Sequence, residues 1–292
     1  MAVAQLIVNI AISASQYCIV AIGFALLFLN VRFFQFSYAG LITVAAYSAF
    51  CVSTSGHNTH LTLLAPILST IVLGLFLYAT VFRPLRRRQA TSLALLLASL
   101  GVYICIQNTI SLLFGSSTRT VTSQVISQGM PLWGARVTLV QVLTMLVSLT
   151  LSMLATLFIK RTRTGLFMRA LASDAHLADT CGIDLQRLMF WAYTISAFVA
   201  AIGGILLALD LNVTPTMGLN IFMSAVLLVV AAGSQNIPGI AAGAFLVAVA
   251  QHLAAWFLGS EWQETVVFLM LVAFLFVRPS GFHKTIYKSI RA

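Results

Sequence analysis

The sequence predicts an all-α polytopic membrane protein with about 8–9 transmembrane helices, one or more of them broken or short. Three observations predict it. Of 292 residues, 60% are hydrophobic and only 8% charged, where a soluble chain carries about 25% charged residues. Apolar stretches repeatedly approach the roughly 20 residues that carry a helix across about 30 Å of hydrocarbon, and mean hydropathy is +1.02. The short alternating segments of a β-barrel are absent.

Spans are expected at about 4–29, 38–54, 61–82, 91–113, 137–159, 189–211, 220–233 (a short one), 238–258 and 265–277. The first has no small-residue cleavage pattern after it and reads as a retained helix rather than a signal peptide. Nine crossings put the two ends on opposite sides. Of sixteen Lys/Arg, Arg32, Arg83, Arg86, Arg87, Arg88, Lys160, Arg161, Arg163, Arg169, Arg187, Arg278, Lys284, Lys288 and Arg291 then share one side. Only Arg119 and Arg136 lie on the other. Positive residues stay cytoplasmic, so the N-terminus is expected outside and the C-terminus inside. The net charge of +10 reflects this topology and gives no reason to expect nucleic acid.

After the first span, Gln35, Phe36, Ser37 and Tyr38 interrupt the hydrophobic run. Non-helical backbone at membrane depth survives only where protein or a watery cavity satisfies it, so these residues are candidates for the translocation pathway. A tight cytoplasmic turn after Arg32 is the alternative. Pro84 is expected to stop the third span, with Arg83, Arg86, Arg87 and Arg88 anchoring it. Gln107 and Asn108, towards the outer end of the next helix, either line a polar path or hydrogen-bond between helices. The short segment 220–233 lies between Gly/Pro breaks, the sign of a discontinuous helix. Ser234, Gln235, Asn236 and Pro238 would then supply polar groups and a break nearby; an ordinary inner loop is the other reading.

The passage 160–188 stands out, with five Lys/Arg and three Asp in otherwise apolar surroundings. Ser173 or Asp174 can cap a short helix through 175–181, and Gly182 can end it in the left-handed conformation. A two-turn cytoplasmic helix of this kind suits a cleft in a partner. Within the spans, Asp210 is read as the one ionisable residue, at the outer end of its helix. That argues against a proton relay. No G-x-x-x-x-G-K-[ST] loop is present for nucleotide hydrolysis. Cys18, Cys51, Cys105 and Cys181 are scattered, His57 and His60 form only a weak pair, and no metal or cofactor site is expected. No nucleophile–base pair or paired carboxylates mark an enzyme.

The stretch Arg161 to Asp184 resembles the cytoplasmic loop of permeases in branched-chain amino acid ABC importers, of the shorter permease type. Gly165, Arg169, Ala170, Asp174, Ala178, Gly182 and Ile183 fit that loop in order. RPLRRR…ASLGVYICIQN, NIPGIAAG and VRPSGF match further stretches of the same family. The resemblance implies a single permease domain over 1–292, with a coupling loop at about 160–188 seated on an ATPase. It also implies two ATP-binding subunits, a second and paralogous permease, a periplasmic solute-binding protein and residence in the bacterial inner membrane. Energy would come from those partners. Two departures fall at the breaks: Gln35 to Ala39 stands where the family has N-F-A-H-G, and Ala232 to Asn236 where it has G-G-x-G-S. Urea, short amides or other small amino acids are therefore alternative solutes, and a self-sufficient secondary transporter or channel is the rival class.

Overall fold

A computed structural model describes residues 2–54, 59–119, 130–132 and 135–277. The long helices are α1 (Ala2–Val31), α2 (Ser37–Thr54), α3 (Thr59–Leu77), α5 (Ser92–Phe114), α6 (Leu139–Arg161), α9 (Leu185–Asp210) and α11 (Ile237–Phe257). Shorter ones are α4 (Arg83–Arg87), α7 (Arg163–Ser173), α8 (Ala175–Thr180), α10 (Met217–Ala232) and α12 (Trp262–Val277). Seven helical runs are long and apolar enough to cross a membrane, and Met217–Ala232 and Trp262–Phe274 are shorter apolar helices. The all-α fold class is as expected. A small antiparallel hairpin, β1 (Met130–Leu132) with β2 (Ala135–Val137), is an addition outside the spans.

Two layers follow from burial. Ala4–Val31 is 78% buried and Leu185–Asp210 72%, against 22% for Ser92–Phe114 and for Leu139–Arg161. α1 and α9 therefore form the centre, with α2 and α10 packed on them. The others form a rim whose exposed Leu112, Leu149 and Leu246 cost nothing in hydrocarbon. Between membrane helices the hydrophobic effect supplies little, so close approach of small residues does the packing. Gly218 of α10 lies directly against the main-chain carbonyl of Ala39 and the hydroxyl of Thr43 on α2, leaving no room for a Cβ. Beside it, the Phe24 and Phe222 rings meet edge-on at 4.9 Å, a geometry worth about 0.5–1.5 kcal/mol beyond area burial.

Two expectations need correction. Pro84 does not stop the third span, which runs on to Arg87. A π-helical turn at Tyr78–Phe82 resets the hydrogen-bond ladder, so the proline falls in the first turn of α4, where its missing N–H is tolerated. Asp210 is also not the only ionisable residue in a span: His252 lies within α11 and pairs with Ser13 Oγ at 2.9 Å. The closing RPSGF stretch after Val277, with the cations from Arg278 on, and His57 lie outside the described residues.

Candidate functional site

The first break lies inside the protein. After α1 the chain is non-helical over 32–36 and turns inward before α2 begins. Gln35, Ser37 and Tyr38 are buried to 1% exposure or less. Tyr193 donates its hydroxyl to Gln35 Oε1 at 2.8 Å, and Gln35 Nε2 donates to Ser37 Oγ at 3.0 Å. Tyr193 lies roughly 12 Å of helix rise beyond Leu185, the start of α9, so this polar triplet sits more than two turns inside that apolar helix. Ser99 of α5 accepts from the Phe36 amide at 3.1 Å, and the Tyr38 hydroxyl donates to the Val20 carbonyl at 3.2 Å. Ser99 and the first turn of α2 thus satisfy part of this non-helical backbone from within the protein. Phe36, half-buried, stacks edge-on with Phe222 at 5.6 Å.

The second break feeds α10. The chain leaves α9 at Asp210, whose carboxylate accepts from Gln16 Nε2 at 2.7 Å and Gln141 Nε2 at 3.0 Å. Val213 then pairs with Arg119 through main-chain bonds, and α10 starts at Met217 against α2. At its other end Gly233 turns the chain into α11. Ser234 is half-buried, Gln235, Asn236 and Pro238 are exposed, and Asn236 Oδ1 caps α11 by accepting from the Gly239 amide at 3.2 Å. Ser234 to Asn236 therefore form a connecting turn with a capping function. Gln107 is half-buried on α5 and Asn108 exposed, its amide donating to its own helix at Ile104 O, 2.8 Å. Among the described residues, no hydrogen bond joins either of them to the Gln35 triplet.

The charged loop 160–188 is two helices rather than one. Thr162 ends α6 and caps α7, its Oγ1 accepting from the Gly165 amide at 3.0 Å. Gly165 packs on the Phe158 carbonyl and on Ile159 Cα, so the α6–α7 corner excludes any side chain there. Met168 and Leu171 bury the inner face of α7, while Arg169 and Ala170 are half-buried beside them. Asp174 Oδ1 caps α8 by accepting from the Leu177 amide at 3.1 Å. Gly182 takes φ +79° after α8, and the Ile183 amide donates back to the Ala178 carbonyl at 3.2 Å. This is the left-handed helix end that favours glycine. Asp184 in turn caps α9 by accepting from the Gln186 and Arg187 amides. Ala178 faces inward at 4% exposure, whereas Leu177 on α8 and Leu166 on α7 stay 64% and 53% exposed.

Contacts that the sequence does not show for Arg32 and Arg86 tie this loop to the spans. Arg32, at φ +58°, donates to the carbonyls of Leu171 and Ala172 at the end of α7. Arg86 donates to the Val31 carbonyl at the end of α1, 2.8 Å. Helix C-termini leave carbonyls unpaired and carry partial negative charge, which guanidinium groups satisfy. Tyr193 is a residue that the sequence reading passed over. A single tyrosine in an apolar span gives no periodic signal, and its partner Gln35 is 158 residues away in sequence. Among the described residues no group of three or more His, Cys, Asp or Glu could hold a metal ion.

Comparison with known proteins agrees with this architecture. Residues 6–275 match the family model described as branched-chain amino acid transport system / permease component. The high-affinity branched-chain amino acid transport system permease protein LivH of Escherichia coli strain K12 is 28% identical, with 91% of each chain covered. BraD, the corresponding permease protein of Pseudomonas aeruginosa, is 26% identical over 95% of this chain and 94% of its own length. A probable LivH of Methanocaldococcus jannaschii is 24% identical over 94% and 90%. Among solved structures, a chain of PsaBC from Streptococcus pneumoniae in complex with Fab shares the fold at TM-score 0.53 and 10% identity, covering 94% of this chain and 93% of that one. With the family model spanning nearly all of its length, the chain belongs to the permease components of branched-chain amino acid ABC transport systems.

Proposed function

We propose that this chain forms one wall of the pathway for a branched-chain or closely related amino acid, and that α7 and α8 are the coupling element on which an ATP-binding subunit pushes. The observation that carries the coupling reading is the double attachment of α7. Its start is wedged on α6 at Gly165 and its end is held by Arg32 at the end of α1. A push on exposed Leu166 or Leu177 would reach both spans without being absorbed by a floppy loop. Arg169, Ala170, Asp174, Ala178, Gly182 and Ile183 shape that lever, with Ala178 on its inner face.

The pathway reading rests on the two helices that begin within the protein, α2 and α10, and on the polar triplet of Gln35, Ser37 and Tyr193 at the start of α2. Movement of α1 and α9 would open or close this packed region, with Phe36 and Tyr38 beside it. In this reading Gln107 and Asn108 border the pathway from α5, and the Ser234–Pro238 turn supports its inner end. The N-terminus lies outside and the C-terminus in the cytoplasm. Two ATPases, a paralogous second permease and a periplasmic binding protein complete the importer in the inner membrane. Urea or a short amide is the alternative solute, since the Gln35–Ala39 segment departs from the family's pattern.

The test is uptake in proteoliposomes holding this chain with and without its ATP-binding subunits and binding protein. ATP-dependent accumulation of leucine, isoleucine or valine only in the complete assembly is the expected result. Accumulation by the chain alone would overturn it in favour of a self-sufficient transporter, and accumulation of urea but not leucine would overturn the solute.

A further inference from the structure

At the ends of α1, α3–α4, α5 and α9 that adjoin α7, a cavity of about 470 Å³ is lined by Arg32, Arg83, Arg86 and Arg87. No Asp or Glu lines it among the described residues, and the one ion pair described among them, Asp184 with Arg187, lies in the neighbouring groove. Four arginines line one hollow with no carboxylate in its lining; Arg32, Arg83 and Arg86 each also donate to a protein oxygen, Arg83 to Gln186 Oε1 at 2.9 Å. Behind its wall, two buried atoms of lining residues lack a partner. Arg86 Nε is a buried donor without a partner, and Asn30 Oδ1 a buried acceptor without one. Val31, Ala90, Leu95, Leu171, Leu185 and Met189 make up the apolar part of the lining.

We propose that this cavity is a binding site for a phosphate ester, supplied by the headgroup of an anionic phospholipid such as phosphatidylglycerol. Arginine forks match phosphate oxygens two bonds at a time, and basic pockets between membrane helices at the headgroup level hold anionic lipids. The phosphate meets the guanidinium groups, and the acyl chains follow the apolar part of the lining. Free phosphate offers the first of these chemistries without the last. Because Arg32 both lines the cavity and holds the end of α7, occupancy bears directly on how firmly α7 is attached. The inference stands on the cavity alone and does not depend on the pathway reading.

The experiment uses the chain purified with its associated subunits and reconstituted in nanodiscs of phosphatidylcholine, with or without phosphatidylglycerol. Arg87→Gln removes a charge from the cavity wall; Arg88→Gln removes one from the neighbouring residue, which does not line it. Phosphatidylglycerol is expected to raise the unfolding midpoint of the wild type by several degrees. Arg87→Gln should lose most of that rise and Arg88→Gln should keep it, with matching loss of bound lipid by native mass spectrometry. Equal loss in both variants would overturn the site in favour of diffuse surface charge. A full rise from inorganic phosphate in phosphatidylcholine discs would overturn the lipid as its source. Loss of ATP-binding subunits from Arg87→Gln in both lipids would overturn it in favour of a protein contact.

Discussion

Arg32 and Ala172 are 140 residues apart, yet the guanidinium of the first bonds the carbonyl of the second and, at 3.2 Å, that of Leu171. The residue after the first membrane helix thus closes the end of the helix proposed to receive the ATPase's motion. Arg86 does the same for α1 at Val31. Two arginines, each read in the sequence merely as a cytoplasmic anchor, make α1, α4 and α7 one mechanical unit.

Arg32→Gln removes the charge and shortens the reach, so the α7 carbonyls lose their donor. Hydrogen bonds to charged groups contribute about 1.5–3 kcal/mol. If that stabilisation holds the lever, transport should fall roughly tenfold or more per ATP hydrolysed. ATPase activity itself should survive. Measuring the ratio of uptake to hydrolysis in proteoliposomes checks this; an unchanged ratio removes Arg32 from the coupling path.

Gly182 takes φ +79°, where proline, locked near −65°, cannot follow. Gly182→Pro should therefore uncouple hydrolysis from uptake while leaving membrane insertion intact. Gly182→Ala should show a milder defect, since an L-residue there costs about 1–2 kcal/mol. Asp174→Arg, which removes the α8 cap, should resemble the proline variant. Protease protection of the membrane fraction separates insertion from coupling, and normal uptake by Gly182→Pro would be incompatible with the lever.

How much of this was legible depended on the range of each signal. Asp174, Gly182 and the nine apolar segments carry local signatures: a cap, a left-handed glycine, a run of hydrocarbon. The helix α7 was harder to see, because Lys160 to Arg163 reads as snorkelling charge although Thr162 caps a helix within it. The same limit hid the continuation past Pro84, where the compensating π turn leaves no sequence mark. Gln35 with Tyr193 and Arg32 with Ala172 are long-range pairs, and neither member announces its partner.

Tyr193→Phe deletes the donor to Gln35 Oε1 and leaves a buried acceptor unmet. Interhelical hydrogen bonds in membranes average about 0.6 kcal/mol and reach about 1.7. A fall of one to a few degrees in the unfolding midpoint is therefore expected, and Gln35→Leu should cost a similar amount. Their double variant should cost less than the sum, because both partners are then gone. Additive losses would show that the 2.8 Å contact does not bind α9 to the start of α2.

Leu177 is 64% exposed and Leu166 53%, on helices whose inner faces are already filled by Met168, Leu171 and Ala178. Neither leucine supports the fold, so replacing either with Asp should leave the stability within about 0.5 kcal/mol of wild type. Burying the new carboxylate against a partner is another matter, because an unpaired charge at an interface costs several kcal/mol. Leu177→Asp should thus reduce co-purification of the ATP-binding subunits by tenfold or more, while Leu149→Asp, on the rim of a membrane span, should impair insertion instead. Comparing the two by detergent extraction and affinity pull-down separates a docking face from a lipid face. Full recovery of the ATPases by Leu177→Asp would mean that they seat elsewhere, and the exposed leucines of α7 and α8 would then need a different occupant.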